Sequence, residues 1–143
     1  MKKLALLIII ISLFSCNNET QEQTMLDRLA EVHLWEQNYK SPQLISFNYS
    51  DSVYDIYAFR GQLDCYKRPS LSELQVVDIM KNSYSELELL ITYPSDSYSY
   101  TLRFYNVNGY YFKELIYDYE NNLSVKTLIT PSTLSISELN YCD

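Results

Sequence analysis

The sequence predicts an α+β domain in which two or three helices pack on one face of a four-stranded antiparallel β-meander. Between residues 86 and 130, four segments with alternating apolar residues follow one another, and short turn signals separate them. Segments with helical spacing precede these strands. The chain has 143 residues, the length of a single domain, and we assign residues 24–143 to that domain.

The clearest turn signal is the Asn-Gly pair at 108–109, because both residues tolerate the positive φ angles of a type I′ turn. A hairpin there places Val107 opposite Tyr110 and Arg103 opposite Glu114. One face of the meander then carries the apolar side chains, namely Leu87, Leu89, Ile91, Tyr93, Tyr98, Tyr100, Leu102, Leu115, Tyr117, Tyr119, Leu123, Val125 and Ile129. A slip of one residue would expose the whole apolar set of a strand, so the agreement among three turns supports this register.

Two segments carry clear helix signals. The first covers residues 24–39 and begins with Thr24 and Asp27 in the pattern of a capping box. The second covers residues 70–83, begins with the same pattern and repeats apolar residues at helical spacing. We expect both helices to pack on the apolar face of the meander.

The remaining segments are less distinct. Residues 45–49 alternate like a short strand. Residues 53–60 have helical spacing but are also rich in β-forming residues, and we favour the helix there. Residues 134–141 form either an edge strand or an extended tail, and this alternative stays open.

Residues 1–16 have the features of an export signal. Lys2 and Lys3 precede an apolar run of about ten residues, which has the length of a signal-peptide core and is short for a membrane span. The run ends in the sequence Leu-Phe-Ser-Cys at 13–16, which resembles the lipobox of a bacterial lipoprotein precursor. The resemblance implies that residues 1–15 are a signal peptide that is removed and that Cys16 is acylated. The alternative is an ordinary signal peptide followed by an incidental cysteine.

Several expectations follow from that resemblance. Acyl chains on Cys16 would hold the protein on a membrane of the bacterial cell envelope, with residues 16–23 as a polar tether. Asn17 follows the cysteine in place of the aspartate that signals inner-membrane retention, which favours the outer membrane. Without Lys2 and Lys3, 18 acidic side chains face 9 basic ones, a net charge near −9. This charge argues against binding to nucleic acid.

A second and shorter resemblance lies in the first predicted helix. Residues 25–34 are similar to the opening helix of a family of small, uncharacterised, mostly helical lipoproteins. This resemblance bears on cellular compartment and lineage, and it implies no activity.

Two further cysteines, Cys65 and Cys142, predict a disulfide. Export places the domain in an oxidising compartment, where an even number of cysteines indicates a bridge. The bridge would fix the C-terminal tail to the domain. The alternative is two separate buried thiols.

The sequence predicts no catalytic residue, metal site or cofactor. His33 is the only histidine, and a metal site or general base would need partners that its surroundings do not supply. Two glycines, at 61 and 109, are too few for a glycine-rich phosphate loop. Glu86 and Glu88 share one face of a strand, but the predicted register puts them on the solvent side. We therefore do not expect an enzyme.

Fifteen tyrosines in this chain suit either half-buried sheet surface or a binding interface. We expect a non-catalytic protein-binding module of the inhibitor or immunity type. Its acidity suits a basic envelope or secreted protein as partner. The alternative is a lipoprotein that binds a small ligand in a pocket between the helices and the tyrosine-rich sheet.

Overall fold

The structure is a computed structural model that describes residues 22–37, 42–50, 52–67, 76–93, 98–118 and 123–142. The predicted signal peptide, Cys16 and most of the predicted tether lie outside these residues. The described part contains a nine-stranded antiparallel sheet and one α-helix of six residues. The predicted α+β architecture, with two or three helices on a four-stranded sheet, is therefore wrong.

Two meanders build the sheet. Helix α1 (Met25–Ala30) precedes strands β1 (Trp35–Gln37), β2 (Gln43–Phe47), β3 (Tyr54–Arg60), β4 (Cys65–Lys67), β5 (Val76–Asn82), β6 (Glu86–Tyr93), β7 (Tyr98–Val107), β8 (Tyr110–Asp118) and β9 (Leu123–Pro131). The spatial order is β4-β3-β2-β1-β9-β8-β7-β6-β5. Strands β1–β4 form the first meander and β5–β9 the second, and the pairing of β1 with β9 joins them.

The predicted register of the second meander is confirmed around the Asn-Gly turn. Val107 pairs with Tyr110 and Arg103 with Glu114, and the turn residues at 108–109 have φ angles of 52° and 86°. Leu87, Leu89, Ile91 and Leu102 are buried, as predicted, whereas Tyr98, Tyr117 and Leu123 of the same predicted face are exposed. The predicted partner of Tyr98, at position 119, lies outside the described residues.

The predicted helices are mostly wrong. The capping box of Thr24 and Asp27 is present, but α1 ends at Ala30 and residues 35–37 are strand β1. Residues 54–60 form strand β3, and residues 76–82 form strand β5. Pairing with neighbouring strands outweighs the helical spacing of these segments. The start of the second predicted helix, residues 70–75, lies outside the described residues.

The sheet curls around its core. The rings of Phe47 on β2 and Phe104 on β7 meet edge to face, 4.9 Å apart. Four strand spacings separate these strands in the sheet order, which in a flat sheet would be about 19 Å. We call the enclosed side the inner face. Helix α1 covers one end of it, and Trp35 Nε1 donates to the Leu29 carbonyl at 2.9 Å.

The opposite, outer face of β1–β4 carries a second small core. Leu34, Leu44, Tyr57 and Leu139 are buried together there. Leu139 belongs to the C-terminal tail, which includes a 3-10 turn at Ile136–Glu138 and pairs with β4 through one parallel bridge.

The predicted disulfide fixes this tail. Cys65 and Cys142 are bonded, with their Cα atoms 5.1 Å apart. The predicted disulfide is thus confirmed, and it lies at the β4 edge of the sheet. Of the two alternatives for residues 134–141, the structure shows a tail with a 3-10 turn and one bridge to β4.

Candidate functional site

The outer face of β6–β9 is a surface that no described helix or tail segment covers. Alternate residues of these strands point outward there. We call this surface the open outer face and define it by Glu86, Glu88, Arg103, Tyr105, Phe112, Glu114, Lys126 and Leu128. Antiparallel pairing sets the polar residues side by side, because residues opposite each other share a face.

Arg103 lies at the centre of a charge network on this surface. Its Nε is 2.7 Å from Glu86 Oε1, its Nη2 is 3.2 Å from Glu88 Oε2, and its Nη1 is 3.5 Å from Glu114 Oε2. Burial alone lowers the pKa of Arg103. The hydrogen bond to Glu88 and the three surrounding carboxylates outweigh that effect and raise the pKa. The guanidinium therefore stays charged and aligns carboxylates from two neighbouring strands.

Glu114 is the most enclosed carboxylate of the network, with 8% of its side chain exposed. Its Oε1 accepts a hydrogen bond from the Ser124 hydroxyl at 2.7 Å and lies 3.6 Å from Lys126 Nζ. Lys81 pairs with Glu86 at 2.6 Å. Three carboxylates and three cations thus balance one another. A shallow depression of about 370 Å³ is lined by four of these groups, Glu86, Arg103, Glu114 and Lys126.

Apolar groups adjoin the charge network on the same surface. The rings of Tyr105 and Phe112 stack with centroids 5.6 Å apart. Leu128 lies opposite Phe112 and is 43% exposed, and Val107 and Tyr110 are exposed at the hairpin end. Arginine and aromatic residues are enriched at the centres of protein interfaces. This combination therefore suits recognition of another protein.

The residues that the sequence analysis weighed for catalysis or metal binding do not come together in one cluster. Glu86 and Glu88 lie on the outer face, as the register predicted, and both form ion pairs with Arg103. His33 is exposed. Across the ranges that the structure describes, no group of three or more histidine, cysteine or acidic side chains could hold a metal ion.

One polar group on the inner face, Lys113, was not among the predicted site residues. Lys113 alternates with Tyr111 and Leu115 along β8, so its side chain shares their face. Its Nζ donates to Gln37 Oε1 at 2.9 Å, and burial lowers the pKa of Lys113 to about 8. The signal was present in the sequence, because the predicted alternation already placed position 113 on the apolar face.

No family model, curated protein or solved structure matches this chain. Among the helical residues that the structure describes, none belong to a helix long and apolar enough to cross a membrane.

Proposed function

We propose that this protein is a lipid-anchored component of the bacterial cell envelope that binds another protein and performs no catalysis. The observation that carries the proposal is the open outer face, where the Arg103 network adjoins the stacked pair of Tyr105 and Phe112. The anchor rests on the resemblance of residues 13–16 to a lipobox, with Cys16 as the acylated residue and the outer membrane as the favoured location.

The charge of the chain suggests the chemistry of the partner. Loss of residues 1–15 would leave 18 acidic and 9 basic side chains. An excess of this size attracts a basic protein over a distance of about 8 Å at physiological salt. Such attraction raises the rate of encounter more than the final affinity. A role of the inhibitor or immunity type, which requires rapid capture, fits this behaviour.

The packing of α1 favours this proposal over a pocket between helix and sheet. Met25, Leu26 and Leu29 fill the interface of the helix with the inner face, and each is at most 4% exposed. A small ligand would have to displace these side chains to bind there.

The experiment begins with the intact mass of the protein from membrane fractions, measured before and after reduction and alkylation. We expect a chain that starts at Cys16, carries added acyl mass and gains two alkyl groups only after reduction. An uncleaved or unacylated chain would contradict the anchor and the envelope location.

The same membrane fractions then serve for crosslinking with two matched variants. Leu128→Lys alters the open outer face, and Leu123→Lys makes the same change on the inner side of the same strand, at a residue that is also exposed. We expect Leu128→Lys to reduce the yield of the crosslinked partner about tenfold and Leu123→Lys to leave it unchanged. Equal yields from both variants would exclude the open outer face as the binding surface.

A further inference from the structure

Lys113 is an ammonium group in apolar surroundings. It lies between Phe104 on β7 and Thr127 on β9 in one row of the inner face. Gln37 Oε1, 2.9 Å from Nζ, accepts one of its hydrogen bonds, and the Gln37 side chain is itself buried. An ammonium has three donors. Within the described residues, no carboxylate lies within ion-pairing distance of Lys113, so the group can bind an external anion.

The inner face is open to solvent on the side of β9. Along the row that crosses β6 to β9, Leu89 and Leu102 are 0% and 2% exposed, Leu115 is partly buried and Val125 is 36% exposed. Leu123, further along β9, is 58% exposed. Strand β1 reaches β9 only at its last three residues, 129–131. The apolar row next to Lys113 therefore ends at an accessible edge.

We propose that Lys113 and Gln37 bind the carboxylate of an amphipathic anion, such as a fatty acid, whose hydrocarbon chain lies along Leu115, Val125 and Leu123. The Lys113 ammonium and the Gln37 amide NH₂ can both donate to a carboxylate. Leu115, Val125 and Leu123 follow Lys113 and Thr127 on the same face, in the direction of the accessible edge of β9. Successive side chains on one face of a strand are about 7 Å apart. The hydrocarbon of octanoate therefore extends from Lys113 past the Leu115–Val125 row.

This inference does not depend on protein binding by the open outer face, because the two sets of residues lie on opposite faces of the sheet. Burial lowers the pKa of the free Lys113 to about 8. A bound carboxylate favours the charged form of the amine, so affinity should fall as the pH rises through that value. Gln37, Phe104 and Thr127, which pack around Lys113, carry no charge, and the Tyr111 hydroxyl accepts a hydrogen bond from Arg28 at 2.7 Å.

The test is a titration of the full chain, held in lipid nanodiscs, with octanoate. Trp35 is the only tryptophan of the chain, and it shares the inner face with Gln37 and lies 4.7 Å from the Tyr111 ring, so its fluorescence reports on the site. We expect a saturable change with octanoate, and a much weaker response to octanol, which lacks the charge, and to acetate, which lacks the chain.

Two lysine variants identify the binding group. Lys113→Met should weaken octanoate binding at least tenfold, whereas Lys126→Met, on the outer face of neighbouring β9, should change it less than twofold. Equal binding by the two variants, or equal affinity for octanol and octanoate, would overturn the proposal.

A measurement on the unmodified chain keeps the proposal testable if Lys113→Met does not fold. The dissociation constant for octanoate should rise about tenfold per pH unit above pH 8. An affinity that stays constant between pH 7 and pH 9.5 would overturn the proposal by itself.

Discussion

The two meanders of the sheet bury their surfaces differently. Strands β1–β4 are covered on both faces, by the main core inside and by the tail with Leu139 outside. Strands β6–β9 bury mainly their inner face, although Thr101, Glu114 and Ile116 are also buried on the outer one. Leu44 and Leu128 show the contrast, since both point outward, yet they are 2% and 43% exposed. The second buried cluster thus lies over the first meander, and the structure describes no such cluster over β6–β9.

Strand length explains the difference. Strands β1 and β4 have three residues each, whereas β6–β9 have eight to ten. Three residues supply few ladder hydrogen bonds and little apolar area to offset the cost of ordering the backbone. In the first meander, the tail and the disulfide supply the missing stabilisation.

Removal of the disulfide should therefore have the largest effect on stability, concentrated in the first meander. We expect the double variant Cys65→Ser and Cys142→Ser to lose about 4 kcal/mol of unfolding free energy, because the bridge closes a long loop in the unfolded chain; the bonded residues are 77 positions apart. Chemical denaturation measures the loss.

Hydrogen exchange should locate this loss. The amides of Tyr66 and Cys142, which bond across the tail and β4, should exchange faster in the double variant, while those of β7 and β8 respond only to global unfolding. The amides of β7 and β8 should lose only the protection that corresponds to the drop in global unfolding free energy. A loss at Tyr66 and Cys142 no larger than that in β7 and β8 would contradict the concentration of the effect in the first meander.

Two outward-pointing leucines test the same difference with one type of substitution. Leu44→Ala should cost about 2–3 kcal/mol, because it opens a cavity in the second core. Leu128→Ala should cost less than about 0.5 kcal/mol, because the side chain is already largely hydrated. Thermal and denaturant unfolding measure both values. Similar costs would mean that the outer faces of the two meanders are equally buried in solution.

The same contrast explains which elements the sequence could predict. In the second meander, burial on one face gives a period of two residues, and the Asn-Gly turn fixes the register. In the first meander, burial on both faces removes that period. Leu34 and Trp35 are adjacent and both buried, but on opposite faces, and Tyr54 and Tyr57 are buried three positions apart for the same reason. These spacings resemble those of a helix.

The element that covers the outer face was not predictable from local sequence. Leu139 lies far along the chain from Leu34 and Leu44, and only the fold brings them together.

The candidate sites were predicted in part. The pairing of Arg103 with Glu114 followed from the turn, whereas the contact of Lys113 with Gln37 required the β1–β9 pairing, which the predicted first helix excluded.

The smallest expected effect is a change of unfolding free energy with pH. It arises from Lys113 on the inner face of the second meander, and Lys126 on the outer face should not contribute. Because burial lowers the pKa of Lys113 to about 8, the unfolded chain binds more protons than the folded chain between that value and about 10.4, the usual pKa of lysine. Unfolding free energy should therefore rise with pH across this window, by roughly 1–2 kcal/mol between pH 7.5 and pH 9.5. Lys113→Met should lack this rise.

Lys126→Met is the matched control for this measurement, because it retains Lys113 and removes a lysine from the outer face. It should show the same rise as the unmodified chain in denaturant unfolding at pH 7.5, 8.5 and 9.5. Burial raises the pKa of Tyr100, so tyrosine ionisation in the unfolded chain opposes the rise at still higher pH, and the comparison is restricted to this window. A rise that survives in Lys113→Met would show that Lys113 is hydrated, and the inner face beside β9 would then be as open as the outer one.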